Sequence, residues 1–227
     1  MARAAASAQE RSTHVERVVW QPFDIPVRRN GNMRANISER LLFLRSFLAN
    51  PRQVGAVLPT SRKAVGDMLD MTDLPSASLV VELGAGTGSH TGPILERLAP
   101  HAKLLAFEID ADLAGALSRR WSDPRLQVVV GSAELLPEHL DGARPDVVVS
   151  ALPFTSLPGD TGRRILEMTA RTLAPDGVFL VLQYSVLVRK TLRTLFGAIE
   201  QRFSPLNVPP AFLFACSRPH ADVQAST

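Results

Sequence analysis

Glu82 and the glycines that follow it form the densest chemistry-bearing stretch of the chain, Val80-Val81-Glu82-Leu83-Gly84-Ala85-Gly86-Thr87-Gly88. An apolar run that ends in an acid and then places glycines at alternate positions reads as a strand entering a ligand-holding turn. Each glycine opens backbone dihedrals, or a close ligand approach, that a Cβ would forbid. Ile94, Leu95 and Leu98 follow at helical spacing, so the turn feeds a helix over His90 to Leu98 whose free N–H groups favour an anion. Ser89 stands where the dinucleotide fingerprint G-x-G-x-x-G needs its last glycine, and no lysine follows as it does in phosphate-cradling loops. Glu82 would repel phosphates and welcome a cation.

S-adenosylmethionine has that charge pattern: an ammonium, a sulfonium and one carboxylate. A second acid points the same way. Lys103 to Phe107 predicts a strand ending in Glu108-Ile109-Asp110. In doubly wound sheets a carboxylate about 20 residues past the glycines, at the next strand end, accepts hydrogen bonds from ribose hydroxyls. Glu108 is in register for that role, while Asp110 or Asp112 is placed to cap a helix over Ala111 to Trp121. Leu126 to Val130 is a further strand, leading into Gly131-Ser132-Ala133-Glu134, and Pro145 to Val149 another, leading into Ser150-Ala151-Leu152-Pro153-Phe154. Ligands in such sheets sit beyond the carboxyl ends of the strands, so this last segment should flank the methyl-donor pocket.

The acid and glycine pattern resembles the first motif of the class I methyltransferases. The resemblance implies that Glu82, Gly84, Ala85, Gly86, Gly88, Glu108, Ile109, Ser132, Ala133 and Ser150 hold S-adenosylmethionine, with the adenine contacts around Ser132 and Ala133. Many relatives carry Asp where this chain has Ser132, so the adenine amino group either loses a charged partner or finds one in Glu134.

The elements that must position these residues alternate between strands and helices from Ser78 to Phe203, the signature of parallel β-α-β units. Further helices are predicted over Thr60 to Met71, Gly159 to Leu173 and Leu187 to Phe203, and strands over Gly177 to Tyr184 and Ala211 to Cys216. Pro209-Pro210 leaves a short connection before the last strand, which favours an antiparallel final pair. The expected fold is therefore α/β and Rossmann-like, a mostly parallel seven-stranded sheet with an antiparallel last strand, preceded by an amphipathic helix. At 227 residues one domain is the prior expectation. Its divisions are a basic leader over 1–35, N-terminal helices over 36–75, the cofactor-binding domain over 76–218 and a tail over 219–227. Cys216 is the one cysteine and no Cys/His cluster exists, so neither a disulfide framework nor a zinc site is supported and no metal is expected.

The leader lacks the apolar core of a signal peptide, and no apolar run approaches the roughly 20 residues that span a bilayer. Ile37, Leu41, Leu44 and Leu48 nevertheless line one helix face, widened by Leu42, Phe43 and Phe47, with Ser38, Arg40, Arg45 and Ser46 opposite. Arg28, Arg29, Arg34, Arg52, Arg62 and Lys63 surround this helix in a chain of formal charge +3 and pI near 9.6. A basic amphipathic helix can lie in an anionic membrane interface. The same pattern also suits a helix packed on its own core.

The stretch Phe43-Leu44-Arg45-Ser46-Phe47-Leu48-Ala49-Asn50-Pro51, with Gln53 to Arg62 after it, is similar to the N-terminal region of bacterial phospholipid N-methyltransferases. The resemblance continues through Glu82 to Gly88, Glu108, Ser150 to Phe154 and Asn207-Val208-Pro209-Pro210-Ala211. It implies stepwise methylation of phosphatidylethanolamine toward phosphatidylcholine by a cytoplasmic enzyme held peripherally on the inner leaflet, with Ile37, Leu41, Leu44, Leu48, Arg40 and Arg45 meeting the membrane. Methyl transfer aligns an unprotonated amine with the sulfonium carbon. Tyr184, the one tyrosine, and Phe154 are the candidates for proton acceptor or cation-holding wall, though both also suit core packing. Leu152, Pro153 and Arg189 are placed to meet the lipid, Arg189 through its phosphate.

The runner-up is a ribosomal RNA adenine dimethyltransferase, and a nucleoside-binding module without turnover is a third reading. Adenine dimethyltransferases carry Asn-Leu-Pro-Tyr or Asn-Leu-Pro-Phe, whose Asn orients the target base; here that position is Ala151. Nucleic acid is for this reason not the expected partner.

Overall fold

The computed structural model describes residues 60–225. The leader, the amphipathic stretch Ile37 to Leu48 with Arg40, Arg45, Leu41 and Leu44, and most of the N-terminal region that carries the closer resemblance lie outside the described residues.

Strands β1 (Leu79–Leu83), β2 (Lys103–Glu108), β3 (Leu126–Val130), β4 (Val147–Ser150), β5 (Val178–Gln183), β6 (Phe196–Ser204) and β7 (Ala211–Pro219) make one seven-stranded sheet in the order β3-β2-β1-β4-β5-β7-β6. The first five in sequence pair in parallel, and β7 runs antiparallel to both β5 and β6. Chain direction across the sheet reverses between β1 and β4, which makes their carboxyl ends the switch point where a crevice opens. The central strands are continuous apolar runs because helices cover both of their faces.

Alternation along the strands sorts the side chains into two layers. On one face Val80, Leu104, Val149, Leu180, Leu182 and Leu213 meet Ala64, Val65 and Met68 of α1 (Arg62–Leu69) and Ile94 and Leu95 of α2 (Thr91–Arg97). On the other, Val81, Phe107, Val148, Phe179 and Phe214 meet Ile165 and Leu166 of α4 (Thr161–Thr172) and Val188 and Leu192 of α5 (Val188–Leu195). Helix α3 (Ala111–Arg120) packs over β2 and β3, with Asp110 as its cap: the carboxylate accepts from the N–H groups of Asp112 and Leu113.

Three expectations change. The helix predicted over Leu187 to Phe203 is two elements: α5 stops at Leu195, Phe196 turns extended, and Phe196–Ser204 is the edge strand β6, which pairs with β7. Its mostly exposed side chains fit an edge strand, and the apparent helical face through Ile199 and Phe203 is a coincidence of spacing. α1, assigned by sequence to the N-terminal helices over 36–75, packs into the core of the main domain. Of the predicted tail over 219–227, the described residues 219–225 stay attached to the domain: Pro219 pairs with Phe196, and Val223 of α6 (Ala221–Ala225) packs on the core.

Candidate active site

The glycine turn leaves β1 at the switch point and is held mainly by backbone. Gly84 and Ala85 both donate to the Phe107 carbonyl at 2.9 Å. Gly84, Gly86 and Gly88 all have positive φ. At Gly88 a Cβ would fall 2.3 Å from the Trp121 ring, whereas at Gly86 it would meet nothing within 4 Å. The first needs glycine for packing as well as for its dihedrals. The second borders open space into which a ligand can come close to backbone.

Glu108 stands at the end of β2 and is 3% exposed. Its Oε2 accepts from Gly86 N at 2.7 Å and its Oε1 from Asp110 N at 2.9 Å, so the carboxylate pins the glycine turn to the next strand. Burial pushes its pKa up and these backbone donors pull it partly back. A carboxylate offers about four lone-pair sites, which leaves capacity for ribose hydroxyls beside the two N–H groups.

Glu82 is 2% exposed and faces the α2 layer. Thr91 Oγ1 donates to its Oε2 at 2.7 Å, while Oε1 has no hydrogen-bond partner. Burial pushes the carboxyl up to about 8, so it is largely protonated at neutral pH. An orphaned acid oxygen in a dry site fits a cationic ligand group, which would restore the ionised form. His90, which sequence reasoning passed over, precedes Thr91 at the start of α2 without a side-chain cap; it too is buried, its Nε2 is unpartnered, and desolvation lowers its pKa to about 4.

Across the turn a cleft of about 500 Å³, counting its open mouth, is lined by Gly84, Phe107, Ile109, Ser132, Ala133, Glu134, Leu152 and Ile165 among others. It gathers Gly84, Ile109, Ser132 and Ala133 of the predicted cofactor set with Leu152 of the predicted substrate set, and it suits a small ligand with an apolar face and a few polar contacts.

A profile described as a methyltransferase domain matches residues 80–177. The ornithine lipid N-methyltransferase of Singulisphaera acidiphila is 30% identical over 180 residues, covering 77% of this chain and 94% of that protein. The chain belongs to the class I S-adenosylmethionine-dependent methyltransferases. The ribosomal RNA small subunit methyltransferase A of Synechococcus sp. (strain RCC307) is 32% identical over 139 residues, but the chain spans only 49% of that relative. Among solved structures, the N-methyltransferase NodS of Bradyrhizobium japonicum WM9, in complex with S-adenosylhomocysteine, shares the fold at a TM-score of 0.61 and 16% identity over 80% of this chain and 99% of that one.

The remaining predicted residues of the methyltransferase separate into supports and outliers. Ser150 is buried: its hydroxyl donates to the Leu83 carbonyl at 3.3 Å and accepts from Leu152 N at 3.2 Å, so it shapes the strand ends without lining the cleft. Ser132 accepts from Glu134 N and donates to Glu134 Oε2, each at 3.3 Å, while Arg164 Nε holds Glu134 Oε1 at 2.8 Å. The charged acceptor at this end of the cleft is therefore Glu134, steadied by Ser132 and Arg164.

Phe154 and Tyr184 do not form one wall, as the sequence reading allowed. Phe154 is buried in the α4–α5 layer, edge-on to Phe179 with ring centroids 6.2 Å apart. Tyr184 packs in the α1–α2 layer with Ala151. The two rings lie on opposite faces of the sheet. Burial raises the Tyr184 phenol above its usual range, offset by the neighbouring Thr60 and Asn207 side chains, and no well-formed hydrogen bond reaches its hydroxyl. Pro153 is half-buried and Arg189 exposed on α5. Gln183, also unforeseen, donates from Nε2 to the Leu152 carbonyl at 2.6 Å and fixes the Leu-Pro-Phe segment over the end of β5.

Proposed function

We propose that this methyltransferase N-methylates the amine of a lipid head group, carrying phosphatidylethanolamine stepwise toward phosphatidylcholine at an anionic membrane surface. The observation that carries the reading is the similarity to a lipid N-methyltransferase across 94% of that protein's length. Ala151 supports it, since an alanine offers no amide to orient a planar base. An ornithine lipid is the second reading, favoured by the name of that same relative.

Glu82, the Gly84–Gly88 turn, Glu108, Ile109, Ala133 and Glu134 are the residues that would hold S-adenosylmethionine, which supplies an electrophilic methyl group when bound. The chain's remaining task is to present a lone pair. Leu152, which lines the cleft, and Pro153 beside it would border the amine. Tyr184 stays a neutral phenol at physiological pH, so it is no general base and the ammonium proton is left to water. Arg189 would hold the lipid phosphate. The sequence from Ile37 to Leu48 would attach the enzyme to the bilayer.

Purified enzyme with labelled methyl donor should label phosphatidylethanolamine vesicles; labelling of ornithine lipid alone selects the second reading, and labelling of ribosomal RNA without lipid refutes both. Leu41→Glu with Leu44→Glu should abolish sedimentation with anionic vesicles, and persistent binding would return that helix to the core.

A further inference from the structure

Most of the exposed large apolar side chains of the described residues gather at one edge of the sheet: Val186, Leu187, Phe203, Leu206 and Val208. Leu187 is 70%, Leu206 67% and Val208 64% exposed. Register brings them together. Gln183 at the end of β5 and Phe203 at the end of β6 both pair with Phe212 of β7, so the turn after β5 and the connection over 205–210 stand side by side, and Tyr184 neighbours Asn207 between them. This is the carboxyl edge of the parallel strands, and Gln183 links it to Leu152 of the cofactor cleft. A contiguous exposed apolar patch of this kind marks an interaction surface, where scattered residues would not.

Its flank is cationic. Arg189, Lys190 and Arg193 are exposed on α5, and the ion pairs of the described residues include none of them. The first turn of α5 has no acid, so Arg189 and Lys190 oppose the positive end of the helix dipole, an arrangement that an external anionic surface would relieve. Ser61 N donates to Asn207 Oδ1 at 2.9 Å, so α1 begins beside this rim.

We propose that the rim of Val186, Leu187, Phe203, Leu206 and Val208, with the cations of α5, is a docking surface for an anionic lipid bilayer that sets the mouth of the cofactor cleft against the membrane. The proposal rests on the lipid reading and deepens it: apolar side chains enter the interface while cations meet head groups.

Cys216 is buried, so a thiol introduced by Leu206→Cys can be labelled selectively with an environment-sensitive fluorophore. Asp176→Cys, exposed just before β5 at the opposite edge, is the control. With vesicles of phosphatidylethanolamine and phosphatidylglycerol, the label at 206 should shift to the blue and the label at 176 should not. Lys190→Glu and Arg193→Glu should each weaken vesicle binding roughly fivefold with unchanged affinity for S-adenosylhomocysteine. No blue shift at 206 while the protein sediments with vesicles overturns the rim, as does a shift produced by self-association without vesicles. A rim response in an enzyme that methylates no lipid would keep the docking surface and refute the lipid substrate.

Discussion

The two halves of the sheet meet at one switch point and are held by different means. On the β1–β2–β3 side the site is built from backbone and short-range contacts: Gly86 N to Glu108 spans 22 residues, and Thr91 reaches Glu82 across nine. On the β4–β7 side it is assembled from distant segments, with Gln183 holding Leu152 across 31 residues and Ser61 joined to Asn207 across 146. A site written into a turn keeps its ligand class wherever the turn is kept. One assembled at long range can change its acceptor while the fold stays the same.

The sharpest break of that contrast is Phe154→Ala. If this ring is core, truncation costs about 3–5 kcal/mol in urea unfolding, while a destabilisation under 1 kcal/mol with a large loss of kcat would make it part of the acceptor site. Gly88→Ala tests the backbone-built half: a side chain forced against Trp121 at positive φ should cost about 2–4 kcal/mol. At Gly86, bordered by open space, the same change should spare stability more and weaken S-adenosylhomocysteine binding.

Glu82 supplies a pH test. Its carboxyl holds its proton up to about 8 in the folded chain against an ordinary 4.5, so the folded state binds more protons between those values and stability falls as pH rises through that window. Glu82→Gln should flatten this slope, measured as unfolding midpoints from pH 5 to 9. An unchanged slope would show that Glu82 is ionised throughout. Glu108→Ala should weaken S-adenosylhomocysteine binding roughly tenfold to a hundredfold by calorimetry, and unchanged affinity would remove it from the cofactor site. Tyr184→Phe, which removes a hydroxyl with no well-formed partner, should shift stability by less than about 0.5 kcal/mol; a fall in kcat without that shift would assign it to the amine.

The legibility of the sequence follows the same division. The glycine turn and the Asp110 cap are readable because each rests on neighbours in sequence, Glu108 because its spacing from the glycines follows a known pattern, and the strand over Leu126–Val130 is placed to the residue. The error at β6 has a physical source: Val188, Leu192, Leu195, Ile199 and Phe203 continue a helical period, yet Gly197 weakens a helix and the unpaired edge of β7 offers a hydrogen-bonding partner that no local pattern announces. Phe154 and Tyr184 both lie just past strand ends, and the layer that each ring enters is set by the folded backbone, which no local pattern announces. Thr91, Gln183 and Arg164 left no signal of their own, since their partners are brought to them by the fold.

The hydrogen bond from Ser61 to Asn207 also has a kinetic meaning. If, as proposed, the sequence before Ser61 meets the bilayer, residue 61 is a tether point, and whatever that sequence holds is presented to the cleft at an effective concentration set by the intervening chain and not by diffusion from bulk. Two weak attachments joined in this way release together only rarely, and an acceptor that needs several successive methyl groups would have its best chance of receiving them within one residence at the surface.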